Sequence, residues 1–271
     1  MRHLFPGLLL ALLALLALGG LAQAQDGMVK LETADESRGW DAVGKLILGE
    51  KGFCTGALIG PQLVLTAAHC LYDKTTGVQL RPEEIEFQAG FRNGRAVAYR
   101  RVSRAVTHPD YRFSAENRLD RVTDDLALLE LSQPIRLPSL EPFETGAAPV
   151  EGDTVGVVSY AQYREEAPSI QESCEVLAGE RQALILTCNV DFGSSGAPVF
   201  SVSDGVARIV SVISAKAEVD GRKVALAVPL AEPLAALRAA LEDSKAGSAG
   251  AVKAVSVLSG GNGGGAKFVK P

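Results

Sequence analysis

The sequence predicts an all-β fold in two lobes with a C-terminal helix, on three observations. Twelve short β-rich runs, punctuated by Gly, Pro and Asp, follow one another between residues 43 and 228 at spacings typical of sandwiches or barrels. Midway, residues 134–150 carry four prolines and read as an extended connection. Behind the last run, Leu230, Leu234, Leu237 and Leu241 recur at intervals of three and four, the stripe of a docked helix.

Taken in order, Met1-Arg2-His3 precedes an apolar run from Leu8 to Leu18, and Ala22-Gln23-Ala24 offers the small-x-small pattern of a leader cleavage site. Residues 1–24 are therefore expected to be removed, leaving a chain that starts at Gln25 and is exported to a periplasm or the medium. The run contains no stretch long enough for a lasting membrane anchor, and no later segment approaches one. Residues 25–39 form an N-terminal segment. The first set of strands is expected at 43–48, 55–59, 63–66, 85–89, 96–107 and 127–131. The second is expected at 155–159, 173–177, 183–187, 198–202, 207–213 and 223–228. Twelve strands exceed what one sandwich needs, so the connection at 134–150 divides two lobes. A helix opens at Glu232. From Ala246 onward Gly, Ala and Ser dominate, through Gly260-Gly261-Asn262-Gly263-Gly264-Gly265, and such a composition buries too little apolar surface to offset ordering entropy. Residues 246–271 are expected to be a flexible tail. There is no internal repeat.

Loss of the leader leaves 26 basic against 32 acidic residues, a formal charge of −6, which argues against nucleic acid as a partner. About 247 residues suffice for a substantial apolar core. All four cysteines lie beyond the leader, and an even count in an exported chain is usually oxidised. Three connectivities are possible, of which Cys54–Cys70 with Cys174–Cys188 is favoured. Loops of this length contribute about 3 kcal/mol each in the chain-entropy model. There is no CxxC pair, and His69 is the only imidazole near a cysteine, so neither a metal nor any other cofactor is expected.

Three segments carry chemistry: Thr66-Ala67-Ala68-His69-Cys70, Asp124-Asp125-Leu126-Ala127-Leu128-Leu129 and Gly193-Ser194-Ser195-Gly196-Ala197-Pro198. They supply an imidazole, a carboxylate and a hydroxyl, 56 and then 70 residues apart. A serine hydroxyl is almost wholly protonated at neutral pH, so its attack on an amide requires a neighbouring base. Histidine meets that need when a buried carboxylate fixes its tautomer and stabilises the cation that forms. Ala67 and Ala68 permit a tight turn into His69. An acid directly before Leu126-Ala127-Leu128 stands at the mouth of a buried strand. The small residues 193–197 allow successive backbone N–H groups to converge on an oxyanion. Alone, the first segment also fits a core histidine beside a disulfide, the second a turn cap at Asp124 and Asp125, and the third a plain Gly/Ser turn.

Together the segments resemble the trypsin-like, chymotrypsin-fold serine peptidases. Thr66-Ala67-Ala68-His69-Cys70 is similar to that family's histidine motif, and Cys54-Thr55-Gly56-Ala57-Leu58-Ile59 to the strand before it. Asp125 stands where the family places its aspartate, immediately before a Leu-Ala-Leu run, with Asp124 one position out. Gly193 to Pro198 resembles the G-D-S-G-G-P nucleophile loop. The resemblance covers roughly residues 40–243, within a peptidase domain expected at 40–245, and implies two six-stranded antiparallel β-barrels followed by the helix. It also implies His69, Asp125 and Ser195 as catalytic residues, and the N–H groups of Gly193 and Ser195 as oxyanion hole. The implied activity is endopeptidase action on polypeptide substrates through an acyl-enzyme, by a monomer. The alternative is a catalytically silent relative that uses the fold as a binding module.

Two departures from the animal enzymes matter. Ser194 replaces the aspartate that pairs there with a new N-terminus after zymogen cleavage, and no I-V-G-G precedes Cys54. Trp40-Asp41-Ala42-Val43-Gly44-Lys45-Leu46 instead resembles secreted bacterial members, so activity without N-terminal pairing is expected. Where relatives with basic specificity carry aspartate stands Asn189, followed by Val190, with Asp191 beyond. The opposite pocket wall is expected from Val212-Ile213-Ser214-Ala215-Lys216, with Ser214 aligned to the substrate-pairing serine and Lys216 attracting an acidic side chain. His108, in Thr107-His108-Pro109-Asp110-Tyr111, is expected to be structural.

Overall fold

The structure, a computed structural model, describes residues 27–113, 122–180 and 183–258. The expected leader at 1–24 and the last residues of the expected tail lie outside these.

Six strands form the first barrel: β2 (Val43–Leu48), β3 (Phe53–Gly60), β4 (Leu63–Thr66), β5 (Ile85–Ala89), β6 (Ala98–Thr107) and β7 (Ala127–Leu131). All pair antiparallel and close in the order β2-β3-β4-β7-β6-β5. The second barrel comprises β8 (Thr154–Ser159), β9 (Ser169–Glu180), β10 (Ala183–Leu186), β11 (Pro198–Ser203), β12 (Val206–Val219) and β13 (Arg222–Pro229). It closes where β9 returns to β8. Two-residue Asp-Gly loops, at Asp204-Gly205 and Asp220-Gly221, join β11 to β12 and β12 to β13, as tight hairpins favour.

The strands that meet between the barrels, such as β7 and β13, are apolar on both faces because both faces are buried, whereas β6 alternates buried with exposed residues. In β7, Ala127, Leu129 and Leu131 point into the first barrel, while Leu128 between them packs toward the second. In β13, Ala225 and Ala227 line the second barrel while Leu226 and Val228 face the first. That period-two division gives each barrel its own core and builds a third core between them. The phenol of Tyr160 crosses this seam to the Phe91 carbonyl (2.9 Å). Phe143, on the connection between the barrels, packs at 4.7 Å from Phe200, against which Trp40 also lies at 5.0 Å.

Three differences from the sequence reading concern the ends of the domain and of its strands. β1 (Val29–Lys30) adds as an outer strand beside Ile170 and Ser169 of β9, so part of the segment 25–39 belongs to the second barrel's edge. β9 and β12 run longer than expected, because their ends stay paired while alternate residues such as Lys216 and Glu218 interrupt the apolar pattern. The helix α1 (Ala231–Leu258) opens one residue early and continues well past Ala246, correcting the expected tail over that stretch. The reason is local: Ala246, Ala249, Ala251 and Ala254 are strong helix formers, and a helix already nucleated elongates at little cost. Its nucleus is docked, with Leu230, Leu234, Leu237 and Leu241 all buried. Burial of each such leucine contributes about 1.5–3 kcal/mol. α1 leaves the second barrel and lies on the first, where Arg104 of β6 donates to the Ser244 carbonyl (2.9 Å) and Lys245 pairs with Glu130 of β7 (3.2 Å).

Candidate active site

His69 sits on a single 3-10 turn, Ala68–Leu71, directly after β4. Ala67 and Ala68 are fully buried, as their small side chains allow, and the disulfide Cys54–Cys70 ties the turn to β3. Asp125 precedes β7, in a turn where Asp124 takes a positive φ of 61°. That conformation sends the two neighbouring carboxylates in different directions. Asp125 faces the histidine: its Oδ2 lies 2.7 Å from His69 Nδ1, and its Oδ1 accepts the His69 backbone N–H at 2.8 Å. Asp124 instead lies 3.6 Å from His108 Nδ1.

The Asp125 side chain is 1 % exposed and the His69 ring 20 %. A carboxylate so enclosed requires hydrogen-bond donors, and a third comes from the other barrel, where Ser214 Oγ donates to Oδ2 at 2.5 Å. The pairing of β12 with β13 shifts register between Ile213 and Ala215, and such an irregularity re-aims a side chain. The hydroxyl expected on the substrate wall thus supports the carboxylate as well. With Nδ1 committed to Asp125, a neutral imidazole presents Nε2 as its basic nitrogen.

Ser195 lies across the same cleft, of about 840 Å³, whose walls also include His69, Asp125 and Ser214. Its loop depends on two glycines. Gly193 has φ 96° and Gly196 φ 79°. A Cβ on Gly193 would stand 2.3 Å from the Phe53 ring, and one on Gly196 2.1 Å from Thr66 Oγ1, so neither position admits a side chain. The amides of Ser194, Gly196 and Ala197 are bonded to Asp191, Ile213 and Ser194 carbonyls. Those of Gly193 and Ser195 are bonded to none of the described residues.

Two groups that the sequence reading did not single out hold this loop. Thr55 of β3, fully buried, accepts the Tyr160 N–H (3.0 Å) and donates to the Gly193 carbonyl (2.9 Å), while its backbone N–H reaches the Ser195 carbonyl (2.8 Å). Arg164, on the connection between β8 and β9, donates to Ser194 Oγ (3.2 Å). Thr55 stood in a quoted motif without a role, and Arg164 lies in no motif.

The expected pocket residues line the cleft. The Asn189 N–H is bonded to Gln171 Oε1 (2.8 Å) just after the disulfide Cys174–Cys188, and Val190 packs on the second barrel's core. Lys216 is engaged: its Nζ lies 2.7 Å from Asp191 Oδ1 and 3.9 Å from the centre of the Phe192 ring. Its ammonium holds the Asp191 carboxyl below the usual range, with help from the Phe192 N–H. His108 is buried, and its Nδ1 faces the Asp110 N–H at 3.3 Å. Among the described residues, Cys54, His69 and Cys70 gather ligand-type atoms, but both sulfurs are in the disulfide; His108, Asp110 and Asp124 form one further grouping.

Comparison with known proteins agrees with this architecture. Residues 54–208 match the family model described as trypsin-like peptidase domain, and the chain belongs to that family. It is 28 % identical over 153 residues to a glutamyl endopeptidase of Bacillus licheniformis, covering 56 % of this chain and 46 % of that one. It is 29 % identical over 163 residues to human Kallikrein-4, covering 58 % of this chain and 52 % of that protein. The chain thus spans about half the length of these relatives. A solved Glu endopeptidase in complex with MPD shares the fold with a TM-score of 0.65 at 17 % identity, over 82 % of this chain and 98 % of that one.

Proposed function

We propose that the protein is an exported serine endopeptidase in which Ser195 is the nucleophile, His69 the general base and Asp125 its orienting carboxylate. One observation carries the reading: an imidazole held through Nδ1 by a buried carboxylate (2.7 Å) shares a cleft with a serine whose own amide and that of Gly193 are bonded to none of the described residues. In the first step Ser195 Oγ attacks the scissile carbonyl carbon and its proton passes to His69 Nε2. The imidazolium so formed is stabilised by Asp125, and the developing oxyanion by the N–H groups of Gly193 and Ser195. Nε2–H then protonates the leaving amine, giving an acyl-enzyme and a free new N-terminus. A water, deprotonated by the same nitrogen, hydrolyses the ester and restores Ser195.

Polypeptides are the substrate class. For the residue before the scissile bond the proposal is an acidic side chain, since the pocket carries Asn189 in place of a carboxylate and both Lys216 and Lys223 line the cleft. A carboxylate of the substrate would take the place that Asp191 holds on Lys216. Two of the similar proteins bear the name glutamyl or Glu endopeptidase. The leader expected at residues 1–24 and the two disulfides support export, and the exported protein is proposed to act as a monomer.

The test is cleavage of an internally quenched peptide library by the oxidised protein. Hydrolysis after Glu or Asp, absent in Ser195→Ala, is expected. No hydrolysis of any member would overturn the peptidase reading, and cleavage mainly after Arg or Lys would overturn the acidic preference alone.

A further inference from the structure

Arg164 follows a tight turn in which its N–H bonds the Ala161 carbonyl (2.9 Å) and Tyr163 takes φ 68°. A bulky residue rarely accepts that conformation, and Tyr163 gains nothing visible from it, being 88 % exposed. The consequence of the turn lies in its neighbours. The Gln162 N–H bonds the Phe192 carbonyl (2.7 Å), and across a planar trans peptide this directs the Gly193 N–H the opposite way. The Arg164 head reaches beneath the same loop: Nη1 donates to the Ser159 carbonyl (3.1 Å), and Nη2 to Ser159 Oγ (3.1 Å) and Ser194 Oγ (3.2 Å). Ser194, fully buried, also accepts the Asp191 N–H (3.3 Å), and its hydroxyl bonds Ser159 Oγ (3.2 Å). The Ser194 carbonyl receives the Ala197 N–H (2.9 Å), which orients the Ser195 N–H in the same manner.

Among the described residues, no carboxylate lies within ion-pair distance of this guanidinium. A cation drawn out of water onto neutral oxygens is costly, and burial lowers its pKa to about 10, with Asp191 on the same loop opposing the shift. The turn that bears it is also pinned to the first barrel, where Lys45 donates to the Glu165 carbonyl (3.2 Å) and the Asn93 N–H to that of Glu166 (2.6 Å).

We propose that Arg164 is a positioning residue that presets the Gly193 and Ser195 amides for an oxyanion by holding Ser194 and Ser159 from beneath the loop. The inference rests on the peptidase reading above. It supplies a physical reason for a nucleophile loop that has Ser194 where a carboxylate would need a charged N-terminus: an internal cation serves the same place.

The experiment compares the wild-type protein with Arg164→Ala, Arg164→Lys and Ser194→Ala, reading kcat, KM, affinity for a peptide boronic acid and thermal stability. For folded Arg164→Ala, kcat falls about 100-fold, the scale of an ångström's misplacement at a reacting centre. KM stays within about threefold, because this lesion touches the oxyanion donors rather than the pocket. Boronate affinity falls in step with kcat, and millimolar guanidinium restores part of both. Arg164→Lys recovers little, since one ammonium cannot span three oxygens in a fixed fork. A folded Arg164→Ala that keeps kcat, or that loses kcat while binding the boronate as before, overturns the inference. Should Arg164→Ala not fold, Ser194→Ala is read in the same way, with unchanged kcat and boronate affinity as the contrary result. An inactive wild type that binds no boronate defeats the peptidase reading and this inference together, whereas an active one indifferent to Arg164 defeats the inference alone.

Discussion

On the first barrel, His69 and Asp125 are fixed by side-chain chemistry: a disulfide beside the histidine, three hydrogen bonds on one buried carboxylate, and small alanines beneath the turn. On the second, Ser195 is fixed by backbone geometry: two glycines at positive φ, carbonyls that orient the amides, and polar groups that grip the loop. In the proposed mechanism the first arrangement tunes a proton acceptor, for which the tautomer and the charge are what matter. In the same proposal the second tunes a set of dipoles, for which direction matters more than charge. Each half also borrows from the other barrel, Ser214 bracing Asp125 and Thr55 bracing the loop, so the cleft depends on the seam between the barrels as much as on either core.

The largest expected effects remove a chemical participant from either half. Ser195→Ala and His69→Ala should each lower kcat about a million-fold, and the double variant should fall no further, because the residues act as one unit. Additive losses in steady-state kinetics would contradict their coupling across the seam. Asp125→Asn should cost about 10⁴-fold, by presenting the wrong tautomer without disturbing the fold.

A smaller loss is expected from geometry alone. In Gly193→Ala the new methyl meets the Phe53 ring and the loop must shift, removing an oxyanion donor at a cost of about 10²- to 10³-fold in kcat. A variant with unchanged kcat would show that the donors do not need this backbone. The disulfides sharpen the contrast next. Replacing Cys54 and Cys70 by Ser, or Cys174 and Cys188 by Ser, should cost about 3 kcal/mol of stability either way, measured by denaturant unfolding. Below the unfolding transition, the first pair should lower kcat through the His69 turn. The second should raise KM through Asn189, and the reverse pattern would contradict the assignment of the two walls.

The smallest effect concerns pH. Asp73, just beyond the His69 turn, is held at a pKa of about 2 by Lys51 at 2.6 Å and by the N–H groups of Thr75 and Thr76. A free aspartate titrates near pH 3.9, so this pairing stabilises the fold fully above about pH 4 and is lost as pH falls toward about 2. Asp73→Asn should therefore lower Tm at neutral pH and flatten its decline over that acidic window. Parallel Tm profiles for the two proteins would remove Asp73 from the account.

The same contrast governs what the sequence discloses. All twelve strands of the two barrels contain their expected runs in whole or large part, with β9 and β12 extending well beyond theirs, because apolar runs bounded by Gly, Pro and Asp are local signals. The meeting of His69 with Asp125 rather than Asp124 follows the family resemblance, which places its aspartate immediately before the Leu-Ala-Leu run; the residues alone left both acids open as turn caps. The helix continues from Ala246 to Leu258, where composition predicts a tail, because Gly and Ser content conceals the helix propensity of the alanines between them. Two residues at Val29–Lys30 are too few to leave a strand pattern. Arg164 was invisible for a different reason: it stands 30 residues before Ser194 in an unremarkable polar stretch, and only closure of β8 and β9 brings its turn beneath the loop. The place of Ser214 on the cleft wall followed from its resemblance to the family's substrate-pairing serine, whereas its bond to Asp125 was hidden, since no sequence pattern reveals which way a bulged residue points.

The central claim, that folding makes Ser195 a nucleophile through His69, is tested most directly by fluorophosphonate labelling with the adduct located by peptide mass spectrometry. Stoichiometric modification of Ser195 is expected in the wild-type protein and none in folded His69→Ala. Modification of another residue, or equal labelling of both proteins, would contradict it.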